Sequence, residues 1–245
     1  MNHASIAAIV TAACSVGAAS ATPTFFPALN NPSTSPLQTR DMNRLAARYR
    51  ADTTNWNSRL EFDTMPNNGD QTANAGNGAS RYADQTFSFT LSYDAGTGDS
   101  TWSVSGSAAG ANPTSITQSM TGFTRLNLFQ ISTSGRSGPT TVTNLMFDTV
   151  GTANDVASSA FPNIDTQLNA NGGPEFAETF LFFGDNYNLL DNSWTLSGDL
   201  TFGSFNRSNP SERNKIDITV RDAVPTPASA ALLGMSGLAA LRRRR

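Results

Sequence analysis

Phe87-Ser88-Phe89-Thr90-Leu91-Ser92-Tyr93 alternates a large apolar residue with a hydroxyl residue at every step. Side chains of an extended chain point to opposite faces with a period of two, so this segment has one apolar face and one polar face, the pattern of a strand with one buried side. The pattern returns at Trp102 and Val104, after the turn-forming stretch Asp94-Ala95-Gly96-Thr97-Gly98-Asp99-Ser100. Residues 85 to 106 therefore read as a β-hairpin.

Outward from this hairpin, Leu126 to Ile131, Val142 to Phe147, Phe180 to Phe183, Trp194 to Phe202 and Ile216 to Val220 suggest further strands. In the last two, Trp194, Leu196, Leu200 and Phe202, then Ile216, Ile218 and Val220, share one face, and Thr, Ser, Asp and Lys share the other. Seven or more short strands separated by Gly, Asn and Pro loops predict an all-β fold, an antiparallel β-sandwich of jelly-roll or concanavalin-like type over residues 81 to 223. The hairpin from Phe87 to Gly106 resembles strands of concanavalin-type lectin and laminin-G sandwiches, in which an aromatic strand, a Tyr-Asp pair, a Gly-rich turn and a second strand are common. It is similar also to the choice-of-anchor body domains. Both resemblances imply a sandwich.

Residues 22 to 80 are rich in Pro, Asn, Thr and Gly, with Asn67-Asn68-Gly69-Asp70 and Asn74-Ala75-Gly76-Asn77-Gly78 as loop material. They read as a loop-rich extension contributing little core. One helix is expected in it, from Asp41 as N-cap to Arg50, with Met42, Leu45, Ala46 and Tyr49 at helical spacing.

The two ends have a different character. Ile6 to Ala13 is apolar or small apart from Thr11, and Ala19-Ser20-Ala21 presents the small-x-small pattern of signal peptidase, so residues 1 to 21 read as a signal peptide with an apolar helix, cut after Ala21. Thr11-Ala12-Ala13-Cys14 is a poor lipoprotein box, because Thr11 stands where a large aliphatic residue belongs. At the other end Val224-Pro225-Thr226-Pro227 precedes Ala228 to Leu241, fourteen residues without a charge, and then Arg242, Arg243, Arg244 and Arg245. As a helix that run spans about 21 Å against a hydrocarbon core of about 30 Å, a short transmembrane helix and a marginal permanent anchor. The arginines would stay on the cytoplasmic side.

This ordered set of prolines, short helix rich in Gly, Ala and Leu, and terminal arginines resembles the PEP-CTERM sorting tail over residues 224 to 245, with Thr226 standing where the family has Glu. The resemblance implies an exosortase-type processing enzyme as partner, besides the export translocon and signal peptidase, and transient hold on the membrane through the C-terminal helix. It implies a destination in the cell envelope, the outer surface or the extracellular matrix, with extracellular polysaccharide as a further partner. An ordinary tail anchor is the competing reading of the same segment.

Composition narrows the chemistry. Only 14% of residues are charged, and Lys215 is the sole lysine. All 19 acidic residues lie between Asp41 and Asp222, and four of the 16 basic residues are the terminal arginines, so the body carries 12 minus 19, a net of −7. Such a body is unsuited to nucleic acid, whose phosphates require a basic patch. The sole histidine, His3, and sole cysteine, Cys14, both precede Ala21, so the mature chain would have no thiol nucleophile, no Ser-His-Asp triad and no Cys or His zinc ligand.

What is left is modest, and no catalytic residue, cofactor site or metal site is assigned; the expected function is non-enzymatic. Glu175 and Glu178, read as loop acids before the Phe180 strand, would be the pair for a glycosidase, the competing class. Asp94 with Asp99, and Asp185, Asn186, Asn188, Asp191 and Asn192, offer oxygen ligands for a structural calcium ion, although turn formation accounts for them equally. Trp56, Trp102 and Trp194, with Tyr93 and Tyr187, would suit a sugar-stacking platform in a lectin-like module, yet Trp102 and Trp194 are in phase with the apolar sets of their strands. Ser211 with Lys215 has the residue types of a Ser-Lys pair, on a segment Asn209 to Asn214 that reads as a hairpin loop.

Overall fold

A computed structural model of the chain describes residues 24–26, 37–51, 56–64, 67–75, 85–106, 114–135, 139–150, 159–166, 175–203 and 214–225. The expected hairpin is present: β5 (Gln85–Asp94) and β6 (Asp99–Gly106) pair antiparallel, with Leu91 opposite Trp102 and Phe89 opposite Val104. Its turn is held locally. Gly96 N donates to Asp94 Oδ1 at 2.8 Å, Gly98 N donates to Asp94 O at 2.8 Å, and Gly98 takes a φ of +74°, which glycine adopts without steric cost.

Around this hairpin the described residues form two antiparallel sheets. The first contains β1 (Thr24–Phe26), β2 (Leu37–Ala51), β3 (Trp56–Thr64), β4 (Asn67–Ala75), β8 (Leu128–Gly135), β12 (Glu175–Phe182) and β14 (Asn214–Pro225). The second contains β5, β6, β7 (Thr114–Ser119), β9 (Thr140–Val150), β10 (Ser159–Ala160), β11 (Ile164–Thr166) and β13 (Ser193–Phe202). The strand order is β1-β12-β8-β14-β2-β3-β4 in the first and β10-β9-β13-β5-β6-β7 in the second, where β11 also pairs with β9.

The apolar half of each alternation fills the space between the sheets. From the first sheet come Leu45, Ala47, Tyr49, Phe129, Ile131, Leu181, Ile216, Ile218 and Val220, and from the second Phe87, Phe89, Leu91, Trp102, Val142, Phe147, Trp194, Leu196, Leu200 and Phe202, all buried. Aromatic contacts join the layers: the rings of Phe129 and Trp194 meet edge to face at 4.9 Å, and those of Tyr49 and Phe87 lie 5.4 Å apart. The fold is an all-β sandwich. A smaller cluster of Leu128, Phe180, Phe182 and Ala223 is also buried, so β12 is apolar on both faces near Phe180–Phe183.

Three expectations need correction. The helix expected from Asp41 to Arg50 is part of strand β2, which hydrogen-bonds to β14 on one side and β3 on the other. Leu45, Ala47 and Tyr49 face the core while Arg44 and Arg48 are half-buried, a period of two; helical spacing was mimicked because Ala46 on the other face is also apolar and closely covered. The stretch 22 to 80, expected to be loop-rich and poor in core, supplies four strands of the first sheet. Finally, β13 and β14 belong to different sheets and do not pair as a hairpin, while residues 209 to 213 between them lie outside the described residues.

Candidate functional site

The two glutamates are on strand β12, where a loop was expected. Glu178 lies opposite Ser132, is buried, and accepts a hydrogen bond from Gln130 Nε2. The side chain of Glu175 and all of Ser211 lie outside the described residues. Lys215 is on β14 and pairs with Asp217, which also pairs with Arg48, so its ammonium is engaged in a half-exposed ion cluster. This is a salt-bridge arrangement, and it lacks the deep burial that a lysine needs to act as a base.

Of the two Asp and Asn groups, Asp94, Asp99 and Asp191 come near one another around Tyr93. Ser193 Oγ accepts from Ala95 N at 3.0 Å and donates to Asp94 Oδ1 at 3.5 Å. Burial raises the pKa of the Tyr93 hydroxyl above the usual tyrosine range, and the carboxylates of Asp94, Asp191 and Asp99 raise it further. Asn188 has a backbone task, since its Oδ1 accepts from Leu126 N at 3.0 Å and from Leu190 N at 3.2 Å, capping a 3-10 turn at Leu189–Asp191. Among the described residues no three acidic, histidine or cysteine side chains are grouped to hold a metal ion.

The aromatic side chains are internal. Trp102, Trp194, Tyr93 and Tyr187 are buried, and Trp194 Nε1 donates to Leu189 O at 3.0 Å. The side chain of Trp56 lies outside the described set. No stacking platform is formed by the four that are described.

Of the tail, Val224 and Pro225 are the last two residues of β14, paired with Gln38 and Leu37 of β2. Thr226, Pro227, Arg242, Arg243, Arg244 and Arg245 lie outside the described residues, as do Ala19 and Ala21 and both expected terminal helices. No helix among the described residues is long and apolar enough to cross a membrane.

Two features were missed in the sequence. The first is Asn127, fully buried, whose Nδ2 donates to Gly184 O at 3.0 Å and Ala223 O at 3.1 Å while its Oδ1 accepts from Ala223 N at 2.8 Å. One side chain thus ties the starts and ends of three strands beside the register shift between Arg221 and Ala223. Arg125 closes the same corner through Asp222, at 3.3 Å, and Asp185 O.

The second is a surface. Opposite the core, the second sheet carries hydroxyl side chains in register across its strands. Thr195, Ser92, Thr101 and Thr117 form one row, and Ser197, Thr90, Ser103 and Ser115 the next. Cross-strand hydrogen bonds join Thr101 to Thr117 at 2.9 Å, Ser103 to Ser115 at 3.1 Å and Thr86 to Thr201 at 2.8 Å. Asp199 lies within this array, bonded by Ser88 Oγ at 2.8 Å and by Asn144 Nδ2 at 2.8 Å. The polar half of the Phe87–Tyr93 alternation was visible in the sequence; the array it joins required the register of four strands.

No protein-family model matches this chain, and no curated protein is significantly similar to it.

Proposed function

We propose that this chain is an exported, non-enzymatic component of the bacterial cell envelope or extracellular matrix, delivered by its C-terminal sorting tail. The observation that carries the proposal is the order of parts: a signal peptide ending at Ala21, a β-sandwich, then Val224-Pro225-Thr226-Pro227, a short apolar run and Arg242 to Arg245. The fold supports it in one respect. Strand β14 ends at Pro225, so cleavage after Pro227 would leave every described strand in place.

In this proposal the translocon exports the chain, signal peptidase removes residues 1 to 21, and the apolar tail holds the folded body at the membrane until an exosortase-type enzyme releases it. Tail and body act in sequence because the tail is too short for a lasting hold. The strand arrangement is assigned to the jelly-roll or concanavalin-like sandwiches. Mass spectrometry of the native protein tests the proposal: a mature N-terminus at Thr22 and a C-terminus near Pro227 are expected. An intact Arg245 on the exported protein would make the tail an ordinary anchor, and an intact Met1 in the cytoplasm would end the proposal.

A further inference from the structure

We infer that the first half of the sorting motif is folded into the first sheet, and that Val224 and Pro225 must leave strand β2 before a processing enzyme can cut beyond them. This rests on the sorting proposal above and adds to it a control over when the tail is released.

Backbone pairing holds the motif. Strand β14 pairs with β2 in two stretches, Asn214 to Arg221 opposite Ala51 to Arg44 and Ala223 to Pro225 opposite Thr39 to Leu37, separated by a register shift. On its other side β14 pairs with β8 only as far as Arg221, opposite Leu128. Among the described residues, the last stretch of β14 therefore has β2 as its one strand partner. Asn127 stands in for a second partner at a single residue: its Oδ1 accepts from Ala223 N at 2.8 Å and its Nδ2 donates to Ala223 O at 3.1 Å. The N–H and C=O of Ala223 thus both turn toward Asn127. Backbone groups alternate in direction along a strand, so those of Val224 turn the other way, toward Gln38. Val224 and Gln38 form the hydrogen-bonded rung, and Pro225 has no N–H with which to add another.

An endopeptidase holds its substrate extended and takes up main-chain groups near the scissile bond, much as strand-adding recognition does. A bound segment of four residues ending at Pro227 is Val224-Pro225-Thr226-Pro227 itself, so the rung to Gln38 has to open first. Opening stops at Ala223, which is fully buried and clamped by Asn127, and the ladder from Asn214 to Arg221 stays paired. Cleavage of a transiently opened segment follows the population of the open form, so the strength of this one rung sets the rate of release. After the cut the rung re-forms.

Pulse-chase of the full chain in its native host, following by mass the loss of the residues after Pro227, reads that rate. Once residues 1 to 21 are removed the chain has no cysteine, so an introduced pair can bridge only within itself. Gln38→Cys with Val224→Cys joins the rung, at an expected Cα separation of about 5.5 Å, within the disulfide range. This variant should stay unprocessed while bridged, and dithiothreitol should speed its release about tenfold or more. Arg50→Cys with Lys215→Cys bridges the same two strands at the far end of the ladder and should be released like the wild type. Gln38→Pro leaves the motif untouched and removes the rung's donor on β2. About fivefold faster release is expected from it, the change for one net backbone hydrogen bond. Val224→Cys alone should match the wild type; if it blocks release by itself, Gln38→Pro carries the test on an unaltered motif. Wild-type release from the bridged Gln38→Cys, Val224→Cys variant, or from Gln38→Pro, overturns this inference and leaves the sorting proposal standing. An intact Arg245 on the exported wild-type protein overturns the sorting proposal, and this inference with it.

Discussion

At the scale of single residues, the structure depends on a few side chains whose importance comes from their backbone surroundings. Asn127, itself fully buried, satisfies one backbone donor and two carbonyls, and the donor and one of the carbonyls belong to Ala223, which is also fully buried. Asn127→Ala leaves those groups unpaired, and chemical denaturation should show a loss of about 3 kcal/mol. Gly198 lies opposite Phe89, and a Cβ added there would stand 2.9 Å from Phe89 Cζ and 3.2 Å from Thr143 O. Gly198→Ala should cost about 1–3 kcal/mol, and adding Phe89→Leu should return part of it in a double-mutant cycle. Tyr93 has a pKa raised by burial and then by Asp94, Asp191 and Asp99. The unfolded chain releases this proton first, near pH 10, so stability is complete below that pH and falls as pH rises toward the folded pKa. Between about pH 8 and pH 11 the urea midpoint of Tyr93→Phe should therefore fall less than that of the wild type. None of these three roles is legible in the sequence, since each depends on atoms brought from other strands.

At the scale of elements, β2 shows how local preference yields to pairing. Leu45, Ala46, Ala47 and the flanking arginines are good helix formers, and Met42, Leu45, Ala46 and Tyr49 fit a helical stripe. Ladders to β14 and β3 on both sides fix the extended form, because a central strand satisfies its backbone groups twice over. The two conformations bury different residues. In the strand Ala47 is wholly buried, whereas the helical stripe leaves it outside. Ala47→Asp should then destabilise the protein by roughly 3 kcal/mol or more, as an uncompensated buried charge does, and thermal melting measures it. Arg48 and Asp217 form a half-exposed pair on the opposite face, of the kind that contributes little. Elements with strict alternation were easier: β5, β6, β13 and β14 were all legible, since a period of two with aromatic and β-branched residues has no helical competitor.

At the scale of the whole molecule, β14 is the element on which the first sheet closes. It lies between β8 and β2, and it brings Pro225 beside Leu37 from the far end of the chain. A chain ending at Gly203 should lose its cooperative unfolding transition, while one ending at Pro227 should keep it, as calorimetry would show. Under the sorting proposal, a cut after Pro227 leaves β14 whole. The sequence alone carries the all-β class, the inward faces of the regular strands and the turn at Asp94 to Ser100, because alternation and turn chemistry are properties of neighbouring residues. It also held the composition that removes histidine and cysteine chemistry from residues 22 to 245. Tertiary pairing alone places β1 to β4 in the first sheet, Asn127 at a corner, and the hydroxyl residues of four strands on one face. Those features rest on pairing between residues far apart in the chain, and hydrophobic periodicity states which side of a strand is buried without stating which strand lies beside it.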